Sequence, residues 1–358
     1  MKKITILLLA ITFSTASYSQ LTNDNFQQAI NACLTSSPVD GLCVDSDYGT
    51  MPDWNVSNVT DMNSAFSNRV DFNGDISAWD VSNVTNMKFM FNTASAFNGD
   101  ISAWDVSSVN DMGNMFKDAI TFNQFIGDWD TSSVIDMGGM FGGATAFNRY
   151  INDWNTSSVN LMNYMFSGAS AFNQPLNDWD TSSVTLDCQV SDICGMEGMF
   201  FQASAFNQPL NNWNTSNVTN MDYMFQEASS FNQNLSSWCV TNVTDGTGAG
   251  GFGEVPTQFS FSSSLSESNK PVWGTCPTAG VDDQNQLDIS IYPNPTSDMV
   301  YIEGNYTQLK VIIYNVLGKE ILNKSITNSI DISHLDNGVY ILQLSDGVKL
   351  STRKIIKN

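Results

Sequence analysis

Apolar residues recur along most of this chain with a period of 25 residues. One complete unit, residues 72–96, reads FNGDISAWDVSNVTNMKFMFNTASA. Tryptophan marks every twenty-fifth position from Trp54 to Trp179, and three more tryptophans follow at Trp213, Trp238 and Trp273. Because one such unit is too short to bury its own apolar face, the period predicts tandem units that stack into a continuous core.

Within one unit, the apolar spacing predicts a short strand followed by a short helix. Residues 76–81 are flanked by turn-forming residues and are typical of a strand. The predicted fold is therefore a repeat solenoid of strand–helix units over residues 54–276, preceded by an N-terminal cap over residues 20–53. The next apolar residues have the spacing of one helical face, and Ser82 precedes them as a candidate helix cap: Val84, Met87, Met90, Phe91 and Ala94.

The end of the chain has a different pattern. Residues 277–285 form a short acidic linker, and apolar residues then alternate with polar ones from residue 286 onward. Alternation with a period of two indicates strands, and glycine-containing turns separate them. Residues 286–358 are therefore predicted to form a small all-β, immunoglobulin-like sandwich. The predicted strands are residues 300–302, 309–314, 329–332 and 339–344.

The first residues have the order of a secretory signal peptide. Lys2 and Lys3 precede an apolar run at residues 4–13, and small residues follow it. This order predicts a signal peptide over residues 1–19, cleaved between Ser19 and Gln20. An uncleaved anchor is the alternative, although the apolar run has only about half the length that a membrane-spanning helix needs. The mature chain is therefore predicted to be exported.

Composition and charge exclude several classes of function. The chain has 14 Lys and Arg residues against 36 Asp and Glu residues, which gives a formal net charge of −22. Such an acidic chain is a poor partner for nucleic acid or an anionic membrane surface. His334 is the one histidine, so the repeats cannot hold a multi-histidine metal site or a Ser–His–Asp triad. No cofactor and no enzymatic activity are predicted.

Two sets of repeated side chains could carry chemistry. Acidic residues follow tryptophan at Asp80, Asp105 and Asp130, and stacked carboxylates repel one another. They either cap nearby backbone N–H groups or share Ca²⁺, and capping is favoured because the usual calcium-loop spacing is absent. The paired methionines could bind copper(I), but a Met pair followed by Phe is more typical of a packed core.

The six cysteines indicate disulfides, because the chain is predicted to be exported. Six cysteines allow fifteen pairings, and sequence alone leaves all of them open. The cysteines lie where the repeat is interrupted or ends, which favours local pairs. The favoured pairs are Cys33–Cys43, Cys188–Cys194 and Cys239–Cys276.

Exposed positions that vary between units are candidate ligand contacts, because repeat proteins keep their core constant and vary their surface. The position four residues before tryptophan carries Phe125 and Tyr150 in neighbouring units. Two adjacent rings could stack on a sugar or anchor a peptide, and inward packing of both rings is the alternative. A second recurring set, interpreted as a structural ladder, is the asparagine after each opening phenylalanine: Asn73, Asn98, Asn123, Asn148, Asn173, Asn207 and Asn232.

The repeat resembles the 25-residue surface repeat of BspA-like leucine-rich-repeat proteins. The pattern FNxxLxxWDVSxVTNMxxMF is matched at residues 97–116 and 206–225, and the resemblance covers roughly residues 50–276. It implies a leucine-rich-repeat-like fold on a secreted or cell-surface protein, and no enzymatic activity.

Residues 286–358 resemble the C-terminal sorting domain of type IX secretion cargo. This resemblance implies recognition by the outer-membrane secretion machinery, removal of the domain, and then release or attachment at the outer-membrane surface. His334 lies inside one of the motifs and is interpreted as structural. The matching motifs are YPNP at residues 292–295, YNVLGK at 314–319, DISHL at 331–335, GVY at 338–340 and RKIIK at 353–357.

These features together predict a secreted or cell-surface repeat protein. Its predicted role is that of a non-enzymatic binding or adhesion module for an extracellular protein or glycan. One alternative is a structural surface spacer without a specific ligand. The other is a carbohydrate-active protein, which is disfavoured because the acidic residues recur with the repeat instead of converging in one pocket.

Overall fold

The computed structural model describes residues 19–43, 46–185, 195–243, 256–277, 287, 289–304, 306–315, 318–347 and 349–358. The chain divides into two compact units, residues 1–277 and residues 278–358. The first unit contains the repeats and the second contains the β-strands. No helix in the described ranges is long and apolar enough to cross a membrane.

Helix α1, Asn23–Ser36, covers the first end of the repeats. The Asn25 side chain accepts a hydrogen bond from the Thr22 N–H at 2.8 Å, which satisfies one of the free donors at the helix start. On its buried face, Phe26 meets the ring of Trp79 edge-on at a centroid distance of 5.8 Å. The helix therefore shields the apolar end of the repeats from water. Short 3-10 turns occur at Met51–Asp53 and Glu267–Asn269.

Each repeat forms one coil of short turns, and successive coils stack in register. Isolated parallel bridges connect equivalent residues of five coils. Hydrogen bonds also join backbone groups about one repeat apart, such as the Phe91 N–H and the Met115 carbonyl at 2.8 Å. We call this arrangement, in the described residues between 54 and 276, the repeat stack. The bridges run through Asp61, Asn86, Asp111, Asp136 and Leu161.

The predicted solenoid of strand–helix units is wrong, because the segment predicted as a helix uses its backbone differently. The N–H groups of Met87 and Phe89 donate to Asp111 and Gly113 of the next coil, each at 2.9 Å. The Met90 N–H instead donates back to Met87 at 3.1 Å. An α-helix would use every N–H for bonds to the carbonyl four residues earlier. Phe89 also has a φ of 55°, a left-handed conformation that interrupts a helix.

The segment predicted as a strand, residues 76–81, begins with a turn instead. The Trp79 N–H closes it by donating to the Ile76 carbonyl at 3.2 Å. Residues three apart face the same way in consecutive short turns as well as in a helix, so the apolar spacing did not distinguish them. The described repeats therefore lack the strand–helix unit that a leucine-rich-repeat-like fold requires.

Aromatic ladders fill the core of the repeat stack. Phe91 and Phe116 stack at a centroid distance of 5.5 Å, and Trp129 and Trp154 stack at 6.4 Å. The Trp129 indole N–H donates to the Ile101 carbonyl at 3.2 Å, so its polar atom is satisfied inside the core. The paired methionines of the described coils are fully buried beside these rings. Apolar packing between equivalent side chains therefore joins each coil to the next.

An asparagine ladder follows one edge of the repeat stack. The Asn98 N–H donates to the Asn73 side-chain oxygen at 2.8 Å, and the Asn173 N–H donates to Asn148 in the same way at 3.0 Å. The Gln174 side chain adds a second bond to the Asn148 side-chain oxygen at 3.0 Å. These amides bind the backbone of the following coil and have a structural role.

The second unit consists of two antiparallel sheets around one buried apolar cluster that includes Val300, Val311 and Leu342. The strands are β1 (Ile289–Tyr292), β2 (Met299–Gly304), β3 (Leu309–Asn315), β4 (Glu320–Ile326), β5 (Ser329–Asp331), β6 (Gly338–Ser345) and β7 (Leu350–Lys357). The sequence pattern did not predict β1, β4 or β7. Strand β4 has only one buried side chain, Ile326, so its pattern does not alternate. The sheet orders are β1-β2-β5 and β4-β3-β6-β7.

Candidate functional site

Four outward positions in each coil vary widely in residue type. They are the x positions of the motif M-x-x-M-F-x-x-A, between side chains that are buried. The second residue of each pair takes a left-handed conformation, as at Tyr164 with φ 51° and Gly168 with φ 70°. The Tyr164 N–H donates to the Glu197 carbonyl of the next coil at 2.8 Å. Because the backbone is held in this way, the outward side chains can vary without changing the coil.

One coil has glycine at all four outward positions. Residues 137–144 read MGGMFGGA, and three of the glycines line a cleft of about 390 Å³. Asn114 and Lys117 of the preceding coil also line this cleft, together with Tyr164 of the following coil. The cleft exists because this coil lacks side chains where its neighbours have them. The lining glycines of this coil are Gly139, Gly142 and Gly143.

A second cavity, of about 320 Å³, has aromatic walls. Tyr164, Phe201 and Tyr223 line it together with the amide side chains of Gln226 and Gln258. Tyr164 belongs to both cavities, so they lie around one shared ring. We call the two cavities together the Tyr164 groove.

Two contacts fix the Tyr164 ring. Its hydroxyl donates to the Glu197 carboxylate at 2.6 Å. Its ring also lies against Gly198, where any side chain would collide with the ring and where φ is 56°. Burial first, and then the bond to Glu197, raises the pKa of the Tyr164 phenol above its ordinary value. The groove therefore contains a neutral phenol in a fixed position.

Several polar groups of the Tyr164 groove have no partner. In the described part of the chain, the Tyr223 hydroxyl and the side-chain amides of Gln226 and Gln258 make no hydrogen bond. The ladder asparagines, by contrast, are bonded to the next coil. The charged side chains that line the groove are Lys117 and Asp118, of opposite sign, and the Glu197 carboxylate touches the Tyr164 hydroxyl. The groove therefore offers aromatic faces and free amides, and its charged groups carry no net positive charge.

The two aromatic residues predicted to contact a ligand lie elsewhere. Phe125 and Tyr150 are 44% and 40% exposed, so their side chains do not pack inward. The Tyr150 hydroxyl donates to Asp153 at 2.8 Å. Neither residue lines the Tyr164 groove. We call Phe125 and Tyr150 the Tyr150 patch.

The aspartates after tryptophan cap the local backbone. Asp105 accepts bonds from the Ser107 N–H at 3.1 Å and from the Ser107 hydroxyl at 2.6 Å. Asp80 makes the same two contacts with its serine, and Asp130 accepts the backbone bond of Ser132 at 3.0 Å. The Ser107 hydroxyl and N–H lower the pKa of Asp105. Within the ranges the structure describes, no three His, Cys, Asp or Glu side chains are grouped to hold a metal ion.

A lysine connects two other stacked aspartates. Lys88 Nζ lies 3.3 Å from Asp111 and 3.4 Å from Asp136. Burial alone would lower the pKa of Lys88, but the charges of Asp136 and Asp111 outweigh it and the pKa is raised. Burial raises the pKa of Asp136, which also accepts the Gly138 N–H at 2.8 Å. These contacts neutralise a repeated acidic position and serve the fold.

The predicted disulfide and cleavage residues are only partly within the described ranges. Cys33 is bonded to Cys43, and Cys239 is bonded to Cys276. Cys188 and Cys194 lie outside the described residues, as does most of the predicted signal peptide. Ser19 and Gln20, on either side of the predicted cleavage point, are exposed.

The sequence pattern did not predict the Tyr164 groove. It predicted ligand contacts at the variable positions before tryptophan and a helix over the M-x-x-M-F segment. The available signal was the coil at residues 137–144, whose four glycines replace the larger residues of its neighbours, followed by Tyr164 and Tyr223 at equivalent positions.

Comparison with protein families adds two matches. Residues 43–144, 122–187 and 186–249 match the family described as Mycoplasma protein of unknown function, DUF285. Residues 290–358 match the family described as secretion system C-terminal sorting domain. No curated protein matches the chain.

Proposed function

Because this chain belongs to the family described as Mycoplasma protein of unknown function, DUF285, and ends in a secretion sorting domain, we propose that it is an exported binding module. The sorting domain marks the chain for the type IX secretion machinery and for the cell surface. In this proposal the repeat stack binds an extracellular ligand through its outward side chains and does not transform it chemically. The relation to BspA-like surface proteins is proposed at the level of the repeat sequence only.

One observation carries the binding proposal. The coils share a constant core, and their variable outward side chains together line one groove. The coils retain Trp, Met and Phe inside, whereas the outward positions range from glycine to tyrosine. At the Tyr164 groove, this variation produces two adjoining cavities and brings three aromatic rings together. Pockets of roughly this volume, lined by aromatic side chains and a few polar groups, are typical ligand sites.

The export proposal assigns roles to the two ends of the chain. Residues 1–19 are proposed to be a signal peptide cleaved between Ser19 and Gln20, and residues 286–358 a removable sorting domain after a linker at residues 277–285. Deleting residues 286–358 should leave the protein in the periplasm. A truncated chain that still reached the cell surface or the medium would contradict this assignment.

Binding can be tested with the full chain on arrays of glycans and extracellular proteins. Tyr164→Ala should abolish the binding of a ligand held in the groove, and Phe125→Ala with Tyr150→Ala is the matched control. If only the control pair weakens binding, the Tyr150 patch is the site and the groove is not. If no ligand binds, the spacer alternative gains support, and turnover of a polysaccharide would show an enzyme.

A further inference from the structure

We infer that the Tyr164 groove binds a linear, uncharged oligosaccharide that lies along the repeat stack. This inference rests on the proposed binding function and adds to it the chemical class of the ligand. It is carried by five features of the groove: its aromatic rings, its free amides, its charge, the way its backbone is used and the spacing of its coils.

The aromatic rings suit the apolar faces of sugars. Tyr164, Phe201 and Tyr223 come from three successive coils and line one cavity. The C–H face of a pyranose ring is apolar and packs on an aromatic face, which carries a partial negative charge. The Tyr164 ring is fixed by Glu197 and Gly198, so little conformational freedom is lost when it packs on a ligand.

The free amides suit sugar hydroxyls. An amide side chain has two N–H donors and an oxygen acceptor. A sugar hydroxyl can accept a bond from the donors and donate one to the acceptor. Gln226 and Gln258 provide such groups in the aromatic cavity, and the Tyr223 hydroxyl adds another. Asn114 and Asn163 provide two more amides in the glycine cleft. None of the five side chains has a hydrogen-bond partner among the residues described.

The charge of the groove disfavours an acidic ligand. Lys117 and Asp118, which line the groove, have opposite charges, and the Glu197 carboxylate bonded to the Tyr164 hydroxyl adds a negative charge. The whole chain carries a net charge of −22, which repels polyanions such as acidic polysaccharides. No cluster of basic side chains lines the groove to compensate for that repulsion.

The backbone of the groove is already occupied, which disfavours an extended peptide. A peptide that pairs with a protein edge needs free backbone N–H and C=O groups. Here the N–H groups of Gly139, Tyr164 and Tyr223 all donate to the next coil, at 2.8, 2.8 and 2.9 Å. A ligand in the groove must therefore be recognised by side chains. Sugars suit this mode, because their hydroxyls and C–H faces contact polar and aromatic side chains.

The spacing of the coils also matches a sugar chain. Coils joined by parallel backbone bonds lie about 4.8 Å apart, close to the length of one pyranose unit in an extended β-linked chain. The groove extends over six coils, from Asn114 to Gln258. Successive sugars can therefore meet equivalent outward positions of successive coils.

The test is calorimetric titration of the full chain with neutral hexasaccharides of the cellulose, laminarin, mannan and chitin series. Hyaluronan and polygalacturonate serve as acidic probes. At least one neutral series should bind, and its hexasaccharide should bind more tightly than its trisaccharide because it contacts more coils. Tyr164→Ala and Tyr223→Ala should each weaken binding about tenfold or more, which corresponds to about 1.4 kcal/mol per tenfold step.

Two control variants separate loss of binding from loss of folding. Tyr164→Phe keeps the ring and should bind within about threefold of the parent chain, a change of under 1 kcal/mol. Phe125→Ala with Tyr150→Ala should leave the affinity unchanged. Circular dichroism must show the same melting temperature for Tyr164→Ala and for the parent chain. If Tyr164→Ala has a lower melting temperature than the parent chain, Tyr223→Ala decides the question. The Tyr223 hydroxyl makes no hydrogen bond in the described residues, so its removal breaks no such contact.

Failure of the inference and failure of the proposed function give different results. If no neutral oligosaccharide binds, but a protein on an array binds and Tyr164→Ala abolishes that binding, the sugar class is wrong and the binding function stands. Binding of the acidic probes alone would also overturn the sugar class. If nothing binds on any array, both proposals fail.

Discussion

At the scale of single residues, the tryptophans determine the stability of the coils. The repeat pattern predicts that Trp79 to Trp213 lie inside one core, and the structure confirms it: these side chains are 2–4% exposed. Each described indole N–H of this set also finds a backbone carbonyl one repeat earlier, such as Ile101 for Trp129. A buried ring with a satisfied polar atom is costly to replace.

Trp129→Ala should therefore lower the free energy of unfolding by about 3–5 kcal/mol, because it opens a large cavity. Trp129→Phe is the matched control and should cost less, since it keeps most of the packing and loses mainly the bond to Ile101. Urea unfolding followed by circular dichroism measures both. In the parent chain, quenchers in solvent should not reach Trp129. Easy quenching would contradict the assigned position.

The lysine between two aspartates predicts a pH dependence. Lys88→Met should lower the free energy of unfolding at pH 7 by about 1 kcal/mol, because these side chains are partly exposed. Burial already raises the pKa of Asp136, and loss of Lys88 raises it further. A carboxyl with a raised pKa binds its proton more tightly in the folded state, so protonation stabilises the fold as pH falls. The deficit of the variant should therefore shrink as pH is lowered from 7.

Lys117→Met is the control for this measurement, because Lys117 makes no ion pair in the described part of the chain. It should show no pH-dependent deficit. Thermal unfolding at several pH values between 4 and 7, around the ordinary carboxyl range, compares the two variants. A Lys88→Met deficit that grows on acidification would contradict the assigned ion pair.

At the scale of elements, the asparagine ladder connects coils through side-chain oxygens. Asn148→Ala should cost about 1–3 kcal/mol, because the Asn173 N–H loses its acceptor and the Gln174 amide retains only the longer bond to the Asn148 backbone carbonyl. Asn148→Asp keeps an acceptor oxygen and should cost less. Urea unfolding gives the two costs, and hydrogen exchange of the Asn173 amide should accelerate only in the alanine variant. Equal costs for both variants would show that the oxygen is not the important group.

The two bonded cysteine pairs lie at the ends of the repeat stack. Cys33–Cys43 joins helix α1 to the chain before the first coil, and Cys239–Cys276 closes the last coils. Non-reducing mass mapping of the exported protein should find these pairs, Cys188–Cys194, and no free thiol. Each should contribute about 2–4 kcal/mol in the chain-entropy picture. A cross-link between Cys43 and Cys188 would contradict the local pairing.

The period of the repeat was predictable from sequence, but the backbone inside one coil was not. Apolar residues spaced three apart fit both a helix and consecutive turns, so Val84, Met87 and Met90 did not reveal which one forms. The choice depends on N–H groups that bond to the next coil, such as that of Phe89. Sequence pattern does not show such contacts between units. The Tyr164 groove was missed for the same reason, since its residues come together only when coils stack.

At the scale of the whole chain, the two proposed tasks, ligand binding and export, belong to different units. The repeat stack has its own core, and the strands β1 to β7 have another. The first unit carries the Tyr164 groove, and the second matches the secretion sorting family. Changes in the repeats should therefore alter ligand binding and leave export intact, as long as the stack still folds.

The equivalence of coils leads to the last prediction, which concerns deletion of one complete repeat. Removing residues 97–121 joins Ala96 to Phe122 and should give a folded, exported protein. The Met87 N–H, which bonds to Asp111, would meet the equivalent carbonyl of Asp136, and Phe141 would replace Phe116 against Phe91. The free energy of unfolding should fall by roughly the contribution of one repeat and one interface, because a repeat array is stabilised by contacts between neighbouring repeats. Circular dichroism, limited proteolysis and surface detection provide the measurements.

Deletion of residues 97–108, about half a coil, is the matched control. It keeps more of the sequence but moves every later apolar residue out of register with the coil before it. The half-coil variant should therefore unfold or be cut by protease at the junction, although it loses fewer residues. The shorter deletion can be the more damaging one only if register between coils, and not the amount of chain, stabilises the stack. Equal protease resistance of the two variants would refute stacking in register.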